Sequence, residues 1–575
     1  MDSTAAPERV IFPEKLNGSL LLMSLLLGIV AFVVLVPLFL MILNSFQLSK
    51  PGEPMIYGLQ GWREAFSSPG ILSAIHNTFS LALARQFIAL ILGIVLAWLL
   101  ARTDIPLSGP LEFMFWLSFF LPALPVTIGW ILLLDPKFGL VNQWLLKLPF
   151  ISEPPFNIYS FWGIVWAHLA SSTIGVKVLL LAPAFRNMDA ALEESSRVSG
   201  ASAVGTLIRI IIPVMMPAIL VATILGLIRS LEAFEIELVL GAPVGIQVFS
   251  TKILDLVIAE PSEYPPAMAL SSSFLAVLLV LLCFQRVVVG RKEFTTVTGR
   301  GFNLRRTALG RWKNFVFVLV FLLALIVTVV PTIFLALGTF MRLFGFFDIS
   351  DAWTLNNWRQ VLQDPVIMRS LWNTLVVALG SAMVGVFLYS LIAYVIVKTS
   401  FTFRGVLDFL SWIPWSIPGI LLGIALLWTF LGTRIFIPLY GSVYILMIAM
   451  IIKSMPIGTQ VIKSVMLQLG RELEEASIVS GASWFSTYRR ILVPLLFPAL
   501  VTVGLLVFIS AVRDISTIVL LATGQTRTLS LLMLEFATEG QFEKATVVGV
   551  LIVVFVGTAA LIARSLGGRV GMRAP

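Results

Sequence analysis

Long apolar runs alternate with short polar ones along nearly the whole chain. Runs of 20 or more mostly apolar residues recur at roughly 19–46, 76–101, 111–134, 159–183, 210–230 and 267–289, and again at 314–340, 370–397, 406–431, 440–463, 491–512 and 545–565. Each is long enough to cross a bilayer as a helix. Backbone groups in lipid must bond within their own segment, and the runs are too long for barrel strands. The pattern therefore predicts an all-α integral membrane protein of about twelve transmembrane helices.

Composition sharpens this picture. Of 575 residues, 58% are hydrophobic and only 12% charged, about half the charged share of a soluble domain. The formal charge of +9 does not point to nucleic acid here. Lys and Arg gather in "RVVVGRKEFTTVTGRGFNLRRTALGRWK" (286–313), between the sixth and seventh spans. The positive-inside rule places that segment, and with it both termini, in the cytoplasm. Segments 44–75, 135–158, 231–266, 341–369 and 524–544 then become external loops. The first span is read as a retained helix, because no small-residue cleavage site follows it. One cysteine, Cys283, and two distant histidines, His76 and His168, leave no disulfide and predict no metal site.

The chain repeats itself in the same direction. "WREAF" (62–66) returns as "WRQVL" (358–362), "HNTFSLALA" (76–84) as "WNTLVVALG" (372–380), and "ARTDIPLSG" as "VKTSFTFRG", all shifted by 296 residues. "LPALP" (121–125) has a looser echo in "IPWSIP" (413–418). The repeat predicts two halves, 1–300 and 301–575, each with six spans. An even number of spans inserts both halves the same way round, giving a parallel six-plus-six repeat about an axis along the membrane normal. A pathway between the halves is the natural consequence.

One polar paragraph also occurs twice, as "EESSRVSGASAVGTLIRIIIP" (193–213) and "EEASIVSGASWFSTYRRILVP" (474–494). In each, acidic residues suit a helix N-terminus, and small residues permit close approach of another surface. Gly200 or Gly481 allows a sharp bend. A second short helix is expected to end at Pro213 or Pro494, where the next span begins.

These paragraphs resemble the cytoplasmic signature of permeases of bacterial ATP-binding-cassette importers: Glu-Ala-Ala, three residues, Gly, nine residues, Ile, any residue, Leu, Pro. The first copy reads Glu194, Ser195, Ser196, then Gly200, Ile210, Ile212 and Pro213. The second reads Glu475, Ala476, Ser477, then Gly481, Ile491, Val493 and Pro494. Serine for alanine and Ile or Val for Leu are the departures. The resemblance covers essentially the whole chain and implies a type I (MetI-like) importer permease fold. It implies that each signature loop is a coupling helix docking on a separate ABC ATPase dimer, which would carry ATP-Mg. It implies also a periplasmic solute-binding protein as substrate donor. No G-x-x-x-x-G-K-[ST] phosphate loop occurs in the chain, so it is expected to be no enzyme, with no catalytic residue and no cofactor of its own. The fused two-signature architecture is most similar to the ferric-iron permease group; fused relatives for thiamine, phosphonates and sugar phosphates, and unfused ones for polyamines, are alternatives. A secondary transporter would leave the signature loops unexplained.

Charges in or beside spans mark candidate pathway residues: Lys177, Arg229, Glu232, Glu235 and Glu237 in the first half, Lys453, Arg513 and Asp514 in the second. The other reading of Arg229 with Glu232 or Glu235, and of Arg513 with Asp514, is a set of interfacial ion pairs. Pro122, Pro125, Pro414 and Pro418 are expected to kink the third helix of each half, as ordinary kinks or as part of a gate. Trp412 and Trp415 beside them contact substrate or simply pack.

Overall fold

The computed structural model describes residues 16–48, 56–290, 306–470 and 472–569. Among them, ten helices are long and apolar enough to cross a membrane, and three further helix pairs are sharply bent. The first half contains α1 (Leu16–Asn44), α2 (Ile71–Arg102), α3 (Ser108–Phe120), α4 (Ala123–Leu134), α5 (Phe161–Arg186), α6 (Val204–Leu231) and α7 (Tyr264–Gly290). The second contains α8 (Gly310–Gly338), α9 (Pro365–Lys398), α10 (Arg404–Ser416), α11 (Gly419–Gly432), α12 (Val443–Met466), α13 (Trp484–Arg513) and α14 (Phe542–Arg569). Helix αn of the first half thus has its counterpart in αn+7. Of the basic segment 286–313, residues 291–305 lie outside the described residues, as does the N-terminal stretch 1–15.

Two expected spans are not straight. The run 111–134 is the pair α3 and α4, bent by 103°, and 406–431 is α10 and α11, bent by 112°. Proline has no N–H for the helix ladder and forces the preceding residue out of the α region. Leu121 before Pro122 has φ −62°, ψ 130°, and Ile417 before Pro418 has φ −101°, ψ 113°. The expected kinks are therefore full breaks. Pro125 sits in the first turn of α4 and Pro414 in the last turn before the second break, where each is tolerated.

Two segments expected to be external loops are largely helical. Residues 237–258 form a pair bent by 78°, and 524–544 contains the helix Leu529–Thr538. A shared tie docks both copies. The backbone N–H of Phe249 donates to Thr78 Oγ1 at 2.8 Å, and that of Leu529 to Thr374 Oγ1 at 2.8 Å. Beside them, Asn77 Nδ2 donates to the Gln247 carbonyl at 3.0 Å, and Asn373 Nδ2 to those of Gln525 and Arg527 at 2.9 and 3.0 Å. The repeated Asn-Thr dipeptide thus exists to satisfy backbone groups that lipid would leave unpaired.

The halves interlock through their first helices. α1 packs on α11 of the other half, and the end of α8 packs on α4. α1 also meets α7 and α10, and its remaining face is outward, with Leu21, Leu22 and Phe39 exposed, as lipid-facing side chains should be. The Gly129 position in α4 has no room for a side chain, because a Cβ there would lie 2.2 Å from the Pro331 carbonyl oxygen of α8.

Candidate functional site: paired signature loops and a charge cluster between the halves

Each repeated paragraph folds as two short helices joined at glycine. In the first copy, helix Ala190–Val198 is followed by Gly200 at φ +82° and helix Ala203–Thr206. In the second, Glu472–Val479 is followed by Gly481 at φ +79° and Trp484–Thr487. The left-handed conformation costs other residues about 1–2 kcal/mol. The Ala201 N–H reaches back to the Ser196 carbonyl at 3.1 Å, and Ala482 to Ser477 at 3.1 Å, closing each helix end in the same way. The second short helix does not stop at Pro213 or Pro494, as expected from sequence. It runs on without a break into α6 or α13, because a proline in a first turn loses no hydrogen bond that a π-type turn cannot bypass. Each signature loop is thus continuous with a fifth-span helix.

Within the signature, Ser196 and Ser477 are buried, and their hydroxyls meet Thr206 and Thr487 across the loop at 2.9 Å. They tie the loop to itself. Ser195, Ala476, Gly200 and Gly481 face outward, and Glu475 is half-buried. The side chain of Glu194 lies outside the described residues. Beside the glycines, Val198 and Val479 are 89% and 88% exposed, more than any other large hydrophobic side chain among the described residues. Val204 and Phe485, another matched pair, are each 62% exposed.

The first glutamate of each pair, not singled out from sequence, anchors the loop. Glu193 Oε1 accepts from Arg102 Nε at 2.8 Å, and Glu474 Oε1 pairs with Lys398 Nζ at 2.8 Å. Both ion pairs are nearly inaccessible to solvent, and both bases end the second span of their half. The signal was available: Arg102 and Lys398 stand 296 residues apart in the aligned "ART" and "VKT" segments.

The remaining bracing differs between the copies. In the first, Thr307 from the connection between halves donates to Glu193 Oε2 at 3.3 Å, and its N–H donates to the Arg102 carbonyl at 2.7 Å. The Asp104 carboxylate accepts from the Leu309 N–H at 2.8 Å and pairs with Lys313 at 3.1 Å. The Leu309 backbone bond, followed by Lys313, holds the Asp104 carboxyl below its usual range. In the second copy the brace is aromatic: Tyr394, Trp484 and Tyr488 pack with ring centroids 5.4–5.9 Å apart, and Tyr488 shares a 2.6 Å hydrogen bond with Ser390.

Six of the eight pathway candidates converge where the halves meet. Arg229 pairs with Glu232 at 3.1 Å. Lys453 donates to the Asp514 carboxylate and to Thr517 Oγ1 at 2.9 Å. Arg513 does not pair with Asp514 as one reading expected, because Lys453 already holds that carboxylate. It crosses to the first half instead, donating to the Phe119 carbonyl at 2.9 Å. Arg229, Glu235 and Asp514 all lie close enough to act electrostatically on Arg513.

Lys177 stands apart. It is buried inside the first half, donating to the Ala222 carbonyl at 3.0 Å, and its stem fills the space over Gly93, where a Cβ would lie 2.2 Å away. At the matching place in the second half the sizes are exchanged: Tyr389 fills the space over Gly458, again at 2.2 Å. Lys177 is therefore a packing residue rather than the counterpart of Lys453. Glu237 lies elsewhere too, in a buried group whose other members the sequence did not single out: it pairs with Arg85 at 2.9 Å and His168 at 2.8 Å, pinning the bent pair 237–258 to α2 and α5.

Residues 381–572 match the family described as binding-protein-dependent transport system inner membrane component. The ferric transport system permease protein FbpB of Actinobacillus pleuropneumoniae is 27% identical over 69% of this chain and 57% of its own length. The putative ferric transport system permease protein FbpB 1 of Haemophilus influenzae is 28% identical over 64% of this chain and 58% of its own. The chain thus spans less than three fifths of the length of these two relatives. The sulfate transport system permease protein CysT of Escherichia coli (strain K12) is 26% identical over 47% of this chain and 90% of its own. With its apolar helices, the chain is a multi-pass membrane protein, and its residues 381–572 match the family of binding-protein-dependent transport system inner membrane components.

Proposed function

We propose that this chain is the transmembrane permease subunit of an ATP-driven importer. Its two halves, 1–300 and 301–575, rock against one another in the bacterial inner membrane, with both termini cytoplasmic. A periplasmic solute-binding protein delivers the substrate, and a separate ABC ATPase dimer, carrying ATP-Mg, drives the cycle. The observation that carries this reading is the matched pair of outward-facing apolar knobs, Val198 and Val479, beside Gly200 and Gly481. Exposed apolar side chains at equivalent points of a duplicated fold suit a pair of identical or related clefts. Residues Glu194, Ser195, Ser196 and Gly200, with Glu475, Ala476, Ser477 and Gly481, form or shape those docking surfaces. Each knob sits on a loop continuous with α6 or α13, so a push on the loop moves a spanning helix.

Ferric iron is the favoured cargo, supported by the two ferric permeases among the relatives. Sulfate is a second reading, supported by the sulfate permease relative. The test is reconstitution with a candidate ABC ATPase and a candidate binding protein. Gly200→Val and Gly481→Val have open space for the new side chain, so they strain only the loop backbone. Together with Val198→Asp and Val479→Asp they are expected to abolish ATPase capture and uptake of radioactive iron. Undiminished capture by all four variants refutes the docking assignment, and uptake of sulfate rather than iron refutes the cargo.

A further inference from the structure

The two halves touch through a reciprocal contact at their helix breaks. Phe119 and Trp415 occupy equivalent positions, 296 residues apart, each three residues before the proline that breaks its helix. Arg229, in the last turn of α6, places its guanidinium 5.0 Å from the Trp415 ring of the other half. Arg513, in the last turn of α13, lies 5.6 Å from the Phe119 ring and donates to the Phe119 carbonyl at 2.9 Å. Each fifth-span helix thus ends with a cation laid on the aromatic residue at the other half's break. About 17 Å of α3 separates its coupling-side start from Phe119, which places the contact inside a hydrocarbon core of about 30 Å.

We propose that Arg229–Trp415 and Arg513–Phe119 are the two arms of a latch that keeps the route between the halves closed until the coupling loops move. This deepens the permease reading and rests on it. Cation–π contacts suit the task. They need no acidic partner in the opposite half, so none is left unpaired on release, and Arg229, whose side chain is 49% exposed, keeps its bond to Glu232 on the same helix end. The held state also leaves polar atoms unspent: Trp415 Nε1 and Glu232 Oε1 are buried without a hydrogen-bond partner. Opening the halves offers both of them water, which favours release. The arms are linked to the loops by unbroken helix, because α6 starts at the first coupling loop and α13 at the second. Movement of either loop therefore pulls an arginine directly off the opposite half.

The latch is tested without any partner, on the purified full chain in planar bilayers bathed in potassium chloride. Wild type is expected to be tight. Combined Arg229→Ala and Arg513→Ala is expected to raise ionic conductance at least tenfold, and each single change to give an intermediate rise. Trp415→Ala added to Arg229→Ala is expected to bring no further increase, since both remove one contact. Arg229→Lys with Arg513→Lys keeps a cation over each ring and is expected to stay near wild type. If the double alanine variant fails to fold, as judged by gel filtration and helix content, Arg229→Gln with Arg513→Gln is read in its place. Conductance equal to wild type in the neutral double variant overturns the latch, as does a lysine variant that leaks as much as alanine. Failure of the wild-type chain to capture an ATPase strikes the permease reading instead, and leaves the conductance comparison standing.

Discussion

Removing the Glu193 carboxylate isolates the buried guanidinium of Arg102. Glu193 and Arg102 have side chains only 7% and 1% exposed, and the Met188 carbonyl at 3.1 Å is the other acceptor for Arg102. Stranding one member of a buried ion pair costs about 3–5 kcal/mol. The cost falls locally, because Glu193 lies on the helix Ala190–Val198, held otherwise by the Ser196–Thr206 bond. A penalty of that size corresponds to about 160- to 5,000-fold more frequent opening of the helix. Hydrogen exchange read by mass spectrometry on the chain in nanodiscs measures it directly. Glu193→Ala is expected to accelerate exchange across 190–198 by up to that factor while α2 stays protected. Replacing both partners, Arg102→Met with Glu193→Leu, is expected to restore most of the protection, because a buried pair exchanged for apolar side chains is often close to neutral. Exchange within threefold of wild type in Glu193→Ala would refute the claim that this ion pair roots the loop.

Three further outcomes follow from the same contacts. Gly458→Ala puts a Cβ 2.2 Å from a Tyr389 ring that is fixed by its hydroxyl bond to the Ile451 carbonyl at 2.6 Å; a loss of about 1–3 kcal/mol should appear as a lowered melting temperature in detergent, relieved by Tyr389→Ala. Asn373→Ala removes two hydrogen bonds worth about 1 kcal/mol each, and exchange should quicken in 523–530 while the first-half copy is unaffected. The lowered Asp104 carboxyl stabilises the 306–313 connection above the ordinary carboxylate range, and that contribution is lost as pH falls through the lowered value; proteolysis of the connection should therefore rise below about pH 4 in wild type and become independent of pH in Asp104→Asn.

Spans, repeat and signature loops were legible because each leaves a mark on neighbouring residues in the chain: apolar length, a constant shift, fixed spacing. The breaks at Pro122 and Pro418 were legible as positions but not as angles, since proline removes one hydrogen bond while packing against α8 or α1 decides where the chain goes next. Segment 237–258 looked like a loop because Glu235 and Glu237 interrupt its apolar pattern; Glu237 is tolerated only because Arg85 and His168, far away in the chain, arrive beside it. Arg513 misled for the same reason. Its nearest acid in sequence was already held by Lys453, and its true partner lies 394 residues away. Lys177 and Lys453 looked equivalent by span number, yet the shift of 281 residues that relates the signature loops sets Lys177 against Gly458.

The crossing of the first helices bears on how the protein is made. α1 leaves the ribosome well before the surface it packs on, α11, which begins some four hundred residues later. At about 5–20 residues per second, α1 waits roughly 20–80 seconds in lipid with its docking face uncovered. Joining both halves in one polypeptide ensures that the missing surface always arrives, in equal number and in the same patch of membrane.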